Sequence, residues 1–140
     1  FLSACKYNEK LQKYTFELFI SRKNDKVKDN VFWTTPIPIE SLNLPDVSNT
    51  HVTFGYDLLR EKSMLYFASD RPGGRGGFDI WYSYYNPKNQ QLGQAIHGGG
   101  KINTTRDDYA PFFHVPTNTL YFSTNGRGGL VGLTYLNPHY

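Results

Sequence analysis

The feature that most constrains this chain is a repeat. Leu65-Tyr66-Phe67-Ala68-Ser69-Asp70 recurs 55 positions later as Leu120-Tyr121-Phe122-Ser123-Thr124-Asn125. At the same spacing, without a gap, Gly73, Gly74 and Gly77 fall on Gly128, Gly129 and Gly132, Phe78 on Leu133, and Ile80 on Tyr135. A partial copy opens the chain. Phe1-Leu2-Ser3-Ala4-Cys5 matches Tyr66 to Asp70, and Phe16 to Ser21 matches Phe78 to Ser83, around a different loop, Lys6 to Thr15. A period of this length marks a supersecondary unit that needs neighbours to bury its faces.

The unit is made of strands. Eleven Tyr and ten Phe stand against one Met, and flat aromatic rings suit a pleated surface. Gly, Pro and Asn break every window before a helix could form. Strand one holds Phe54 or Phe112. Strand two is Leu65 to Ser69 or Leu120 to Thr124, and strand three is Phe78 to Ser83 or Leu133 to Leu136. A short strand four lies near Ala95–Ile96, and near Trp33–Ile37 in the first copy. Each copy then runs to an Asn, Asn43 or Asn103, ahead of the next aromatic strand. Strand two is apolar nearly throughout, as expected of a strand covered on both faces.

Four-stranded units of this length are the sequence mark of β-propeller blades. The expected fold is all-β: a propeller segment of about two and a half blades, whereas closed propellers use roughly four to eight. The partial blade spans 1–48, a complete blade 49–103, and a second partial blade 104–140. The expectation is an interior segment of a longer polypeptide.

Leu65 to Trp81, with Ser69-Asp70-Arg71-Pro72-Gly73-Gly74 at its centre, resembles the TolB-type (WD-like) propeller repeat. It is similar to the version in Bacteroidota cell-envelope proteins that often carry an OmpA-like domain, and Asn103 to Phe113 resembles that repeat's lead-in. The resemblance implies a periplasmic or outer-membrane-associated protein, in some members a lipoprotein of the type IX secretion or gliding machinery. Its implied partners are other envelope proteins or the remaining blades, and peptidoglycan only through an attached domain that this sequence lacks. Asn125 in place of Asp70, and Thr134 in place of Asp79, depart from a fixed ligand site recurring in each copy.

The residues themselves favour structure over chemistry. Gly73, Gly74 and Gly77, like Gly128, Gly129 and Gly132, suit hairpins between strands two and three, where Gly takes positive φ freely. A functional reading makes the loop an anion cradle. Asp70 and Asp79 flank it and are expected to fix the turn by accepting N–H bonds, rather than to bind calcium or act as acid and base. Gly98-Gly99-Gly100-Lys101 fails as a phosphate loop, with Ala95 and Ile102 at the positions of its leading Gly and final hydroxyl. His51, His97, His114 and His139 are dispersed, so no metal, cofactor or catalytic residue is expected. Leu2-Ser3-Ala4-Cys5 fits a lipobox, making Cys5 a candidate lipidation site, while the repeat favours a strand ending there.

What remains is recognition. Trp33, Tyr84 and Tyr85 combine apolar area with a polar tip, and Arg71, Arg75 and Arg127 sit on hairpins where a fork could meet carboxylates or phosphates. These six are the partner-binding candidates. The net charge of +3 gathers at Lys6, Lys10, Lys13, Arg22, Lys23, Lys26 and Lys28. That is too sparse for a nucleic-acid face, and no run of about 18 apolar residues marks a membrane span. The expected function is non-enzymatic binding or scaffolding in the cell envelope. The alternatives are a glycan-binding or glycan-hydrolysing propeller, and a structural subunit that completes a ring by oligomerisation.

Overall fold

The structure, a computed structural model, describes residues 1–24 and 32–127, together with the backbone of residues 132–136. Lys26, Lys28, Gly128, Gly129 and His139 lie outside the described residues. The first sheet contains β1 (Leu2–Asn8), β2 (Lys13–Ile20) and β3 (Ile37–Pro38), in that order. The second contains β4 (Asn49–Asp57), β5 (Lys62–Ser69) and β6 (Asp79–Asn86), with β7 (Gln91–Leu92) and β8 (Ile96–His97) both paired to β6. The third contains β9 (Asp108–His114), β10 (Thr119–Thr124) and β11 (Gly132–Leu136), with β10 central. All pairings are antiparallel and no sheet closes on itself. Among the described residues the one helical piece is a 3-10 turn at Val115–Thr117. Among the described residues no helix is long and apolar enough to cross a membrane.

Local chemistry sets the hairpins. Asn8, Asp57 and Asn86 each close a strand and accept a loop N–H on the side-chain oxygen, from Leu11, Leu59 and Lys88 respectively. Gln12, Glu61 and Gln90 take left-handed φ just before each chain returns.

The sheets stack, and β5 divides its side chains between two cores. Leu65 and Phe67, with Trp81 of β6, pack against Leu18, Ile39 and Leu42 of the first sheet's segment. Met64, Tyr66 and Ala68, with Ile80, pack against Phe113, Leu120 and Phe122 of the third sheet. Tyr66 stacks on Phe113 at 5.8 Å and 16°. This two-sided burial is why β5 lacks alternation in its sequence.

The repeat is visible in the backbone. Asn43 bonds both backbone groups of Leu18, and Asn103 does the same to Ile80. Ser48 exchanges bonds with Asp70, and Asp107 with Asn125, through the same atoms. Both Asp70 and Asn125 accept this N–H on the side-chain oxygen, so that change of residue leaves the turn intact. A bulge at His51 (φ 51°) opposite Phe67 recurs at Ala110 (φ 52°) opposite Phe122.

Strand pairing refines the expected units and corrects several of their details. Strand one holds both Phe54 and Phe112 as expected, and Phe113 is the residue that faces Leu120 as Phe54 faces Leu65. Ser69 pairs with Asp79 but Thr124 with Gly132, so the third sheet's hairpin is two residues shorter than the gapless match implies. Gly132 therefore lies in β11 and fixes no turn, and Leu133, not Tyr135, takes the place of Ile80. The stretch Lys6 to Thr15 is largely strand, with Lys6, Tyr7 and Asn8 paired to Thr15, Tyr14 and Lys13. Finally, β7 adds a pairing to β6 that the four-strand reading omitted.

Candidate functional site

At one end of the stack the three sheets converge on a cleft of ≈530 Å³ lined by Phe16, Thr50, His51, Phe78, Asp107, Tyr109 and Asn125. Its size falls within the range of small-ligand pockets. Phe16 comes from β2 and Thr50 and His51 from the bulge of β4. Phe78 immediately precedes β6, Asp107 precedes β9, Tyr109 lies on β9, and Asn125 follows β10. A larger cleft, ≈820 Å³, lies along the β4–β5 and β6–β7 hairpins and is lined by the second sheet's segment alone.

The repeat builds this site. Phe16 and Phe78 match in successive units, each two residues before the residue held by the Asn amide, and Asp107 and Asn125 form one turn-locking pair. The left-handed backbone at His51 aims its ring to within 6.3 Å of the Tyr109 ring. Asp107 Oδ1 accepts the Phe78 N–H at 3.0 Å and Oδ2 accepts from Asn125 Nδ2 at 3.3 Å. A carboxylate accepts about four hydrogen bonds, so half of its capacity remains for a ligand. No Lys or Arg lines the cleft.

The glycine loop is a different matter. Asp79 Oδ2 accepts from the Arg75 and Gly76 N–H groups at 2.8 and 3.1 Å. These are the donors an anion cradle would offer, and an internal carboxylate fills them. Gly73 takes φ 93°, while Gly74 and Gly77 lie against the Asp79 and Asp107 carboxylates with no room for a Cβ. Asp70 Oδ1 accepts the Ser48 N–H at 2.7 Å. Asp79 Oδ1 is buried without a hydrogen bond, and His97 Nε2 stands 3.6 Å away. Gly99 N–H donates to His97 Nδ1, and His97 Nε2 also stands 2.9 Å from the Asn103 amide nitrogen.

None of the six partner-binding candidates lines the convergent cleft. Arg71 is a correction: it is 8% exposed, with donors on Ser69 Oγ, Leu42 O and Asn49 Oδ1. Its guanidinium lies 4.9 Å from the Phe67 ring centre and 5.3 Å from that of Trp81. Burial pushes it down to about 10, against the charge of Asp70, and it stays cationic at neutral pH. Arg127 reaches the carbonyls of Lys101 and Ile102 from the surface. Arg75 is exposed and lies over Gly100. Trp33 is 61% exposed beside its bridge to Lys23.

Tyr84 donates to Asp57 Oδ2 at 3.0 Å, and Tyr85 meets Phe1 and Phe54 edge-on. Cys5 is exposed within β1 opposite Phe16, and the strand runs through it to Asn8. The cleft itself was missed in the sequence, although the aligned pair Phe16 and Phe78 was its signal.

No protein-family model, curated protein or solved structure matches the chain.

Proposed function

We infer that this chain is a segment of a TolB-type β-propeller, serving as a non-enzymatic binding scaffold in the bacterial cell envelope, of the kind tied to type IX secretion or gliding. The observation that carries the reading is the common setting of Phe67 and Phe122. Each is fully buried, opposite a bulge, and turned toward the preceding sheet. The outer face of the third sheet, in contrast, leaves Phe112 58% exposed, at the position where Thr53 of the second sheet meets a neighbour. The first sheet likewise exposes Leu2, in the place of buried Phe67. Both open faces suit further sheets of the same repeat, whether from more of the chain or from another copy that completes a ring.

A binding rather than hydrolytic role is supported by the convergent cleft. Glycoside hydrolysis draws on two flanking carboxyl groups, and Asp107 is the one carboxylate among the lining residues.

Hydroxyl-radical footprinting of the intact gene product tests the stacking. Phe112 is expected to label nearly as slowly as Phe122, because a further sheet covers it. Labelling of Phe112 at the rate of Tyr14, which is 64% exposed, would overturn the reading.

A further inference from the structure

We propose that the convergent cleft receives the cationic side chain, lysine or arginine, of a partner protein. The inference deepens the binding reading above and rests on it. Four rings, Phe16, Phe78, Tyr109 and His51, line a space whose one formal charge is the Asp107 carboxylate. Aromatic faces carry negative potential and attract ammonium and guanidinium groups. A carboxylate at the wall supplies charge-assisted hydrogen bonds to the same groups.

Charge selects this ligand class. The chain carries a net charge of +3, yet no Lys or Arg lines the cleft, and Asp107 forms no ion pair among the described residues. The site is thus a local negative spot on a basic chain, which repels anions and draws cations. Asp107 is also held still: the Phe78 N–H and the Asn125 amide fix its carboxylate before a ligand arrives. A pre-oriented acceptor loses less freedom on binding. Ser48, the residue that matches Asp107 in the preceding unit, carries no charge, and its turn partner Asp70 lies 3.9 Å from Lys13. In the next unit Asn125 takes the place of Asp70, and among the described residues no lysine lines the cleft.

The test is aromatic-region NMR titration of the chain with blocked amino-acid amides. The probes are N-acetyl-lysine methylamide and its arginine counterpart, the uncharged isostere N-acetyl-norleucine methylamide, and a panel of neutral monosaccharides. The expected result is saturable shifts of Phe16, Phe78 and Tyr109 with the two cationic amides in the millimolar range, about tenfold weaker binding of norleucine, and weakening with added salt. Asp107→Asn keeps an acceptor for the Phe78 N–H and is expected to lose about tenfold in affinity for the cations. Phe16→Leu, at a ring that is already 37% exposed, provides a second variant free of the turn lock.

Norleucine binding as tightly as lysine, monosaccharides binding in place of the cations, or unchanged cation binding in both variants would each overturn the proposal. Absence of any saturable shift would do so too. The footprint of Phe112 concerns a different face, so the stacking reading stands or falls separately.

Discussion

Asn103 holds Ile80 by both of its backbone polar groups: the amide oxygen accepts from the Ile80 N–H at 2.7 Å, and the amide nitrogen donates to the Ile80 carbonyl at 2.9 Å. Asn103 is 1% exposed and ties the segment after β8 to the third strand of its sheet. Asn103→Ala leaves the buried Ile80 N–H unpaired, at about 1–3 kcal/mol, while the Ile80 carbonyl keeps the Gly98 N–H. Urea denaturation is expected to give a loss of about 1–3 kcal/mol. Asn43→Ala, on Leu18, is expected to cost a similar amount because its bonds are the same. A loss below about 0.5 kcal/mol at both positions would show that the two amides add nothing.

Arg71 is held inside the fold. Its side chain donates to Leu42 O at 2.8 Å, to Asn49 Oδ1 at 2.7 Å and to Ser69 Oγ at 3.0 Å. Hydrogen bonds to a charged donor are worth about 1.5–3 kcal/mol each, part of it offset by the cost of burying the cation. Arg71→Met is expected to destabilise by about 1–3 kcal/mol, since the apolar stem is kept while Asn49 Oδ1 is orphaned and Leu42 O and Ser69 Oγ each lose one donor. Arg71→Lys rescues little, because one ammonium cannot span three acceptors in the guanidinium plane. Chemical denaturation of both variants provides the check.

The strands and their order were legible because the repeat writes them twice. Leu65 to Asp70 and Leu120 to Asn125 are local, continuous and in register, and Asn43 and Asn103 close their units at matching places. What could not be read was anything decided between units. Arg71 carries every mark of an exposed hairpin residue, yet Leu42 and Asn49, distant in sequence, supply acceptors and draw it inward. The glycine match misled for a similar reason. Glycines recur in turns of any length, so Gly132 aligned by spacing while the pairing of Thr124 made it a strand residue. The cleft joins Phe16, His51 and Tyr109, whose proximity only the stacking of three sheets creates.

Two glycines of one region should respond differently from a third. A Cβ on Gly76 would run into the backbone of Arg106, which cannot swing aside as a side chain can. Gly76→Ala is expected to cost about 1–3 kcal/mol through forced backbone displacement. At Gly99 nothing lies within 4 Å, but φ is 80°, so Gly99→Ala is expected to cost about 1 kcal/mol, from conformation alone. Gly93 has only ordinary contacts and no left-handed φ, and Gly93→Ala is expected to be nearly neutral. Thermal midpoints of the three variants would sink this ordering if Gly93 were the most sensitive.

The Asp57–Tyr84 contact gives stability a dependence on acid. Burial resists ionisation of Asp57, but hydrogen bonds from the Arg60 side chain and backbone, and from the Tyr84 hydroxyl, outweigh it and hold the carboxyl below its usual range. A carboxyl depressed in the folded state contributes stability above its unfolded pKa, about 3.9, and loses it as pH falls through the lower folded value. Tyr84 shifts upward, first through burial and then through its bond to Asp57, so its contribution fades only as pH rises past about 10. Tyr84→Phe removes one bond from the carboxylate and is expected to raise the Asp57 pKa. Urea midpoints measured from pH 2 to 7 should then fall less steeply between pH 4 and 2 than in the parent, at roughly those values. Parallel curves would remove Tyr84 from the coupling.

Phe67 and Phe122 test whether the units are equivalent in energy as well as in shape. Both are fully buried and each lies opposite a bulge, at His51 and Ala110. Truncating a buried Phe costs about 3–5 kcal/mol, from lost transfer energy and the cavity left behind. Phe67 sits between the first and second sheets and also carries the Arg71 guanidinium on its ring. Phe122 faces the second sheet but belongs to the third, whose other side leaves Phe112 exposed. In the 140-residue chain Phe122→Ala is therefore expected to cost less than Phe67→Ala, because the uncovered sheet can settle into the cavity. In a molecule where a further sheet covers Phe112, the two costs should converge to within about 0.5 kcal/mol. Calorimetry of both variants in both contexts decides it: a gap that persists when the outer face is covered would mean that Phe67 and Phe122 differ in their own packing, and that repetition of the backbone does not extend to the core.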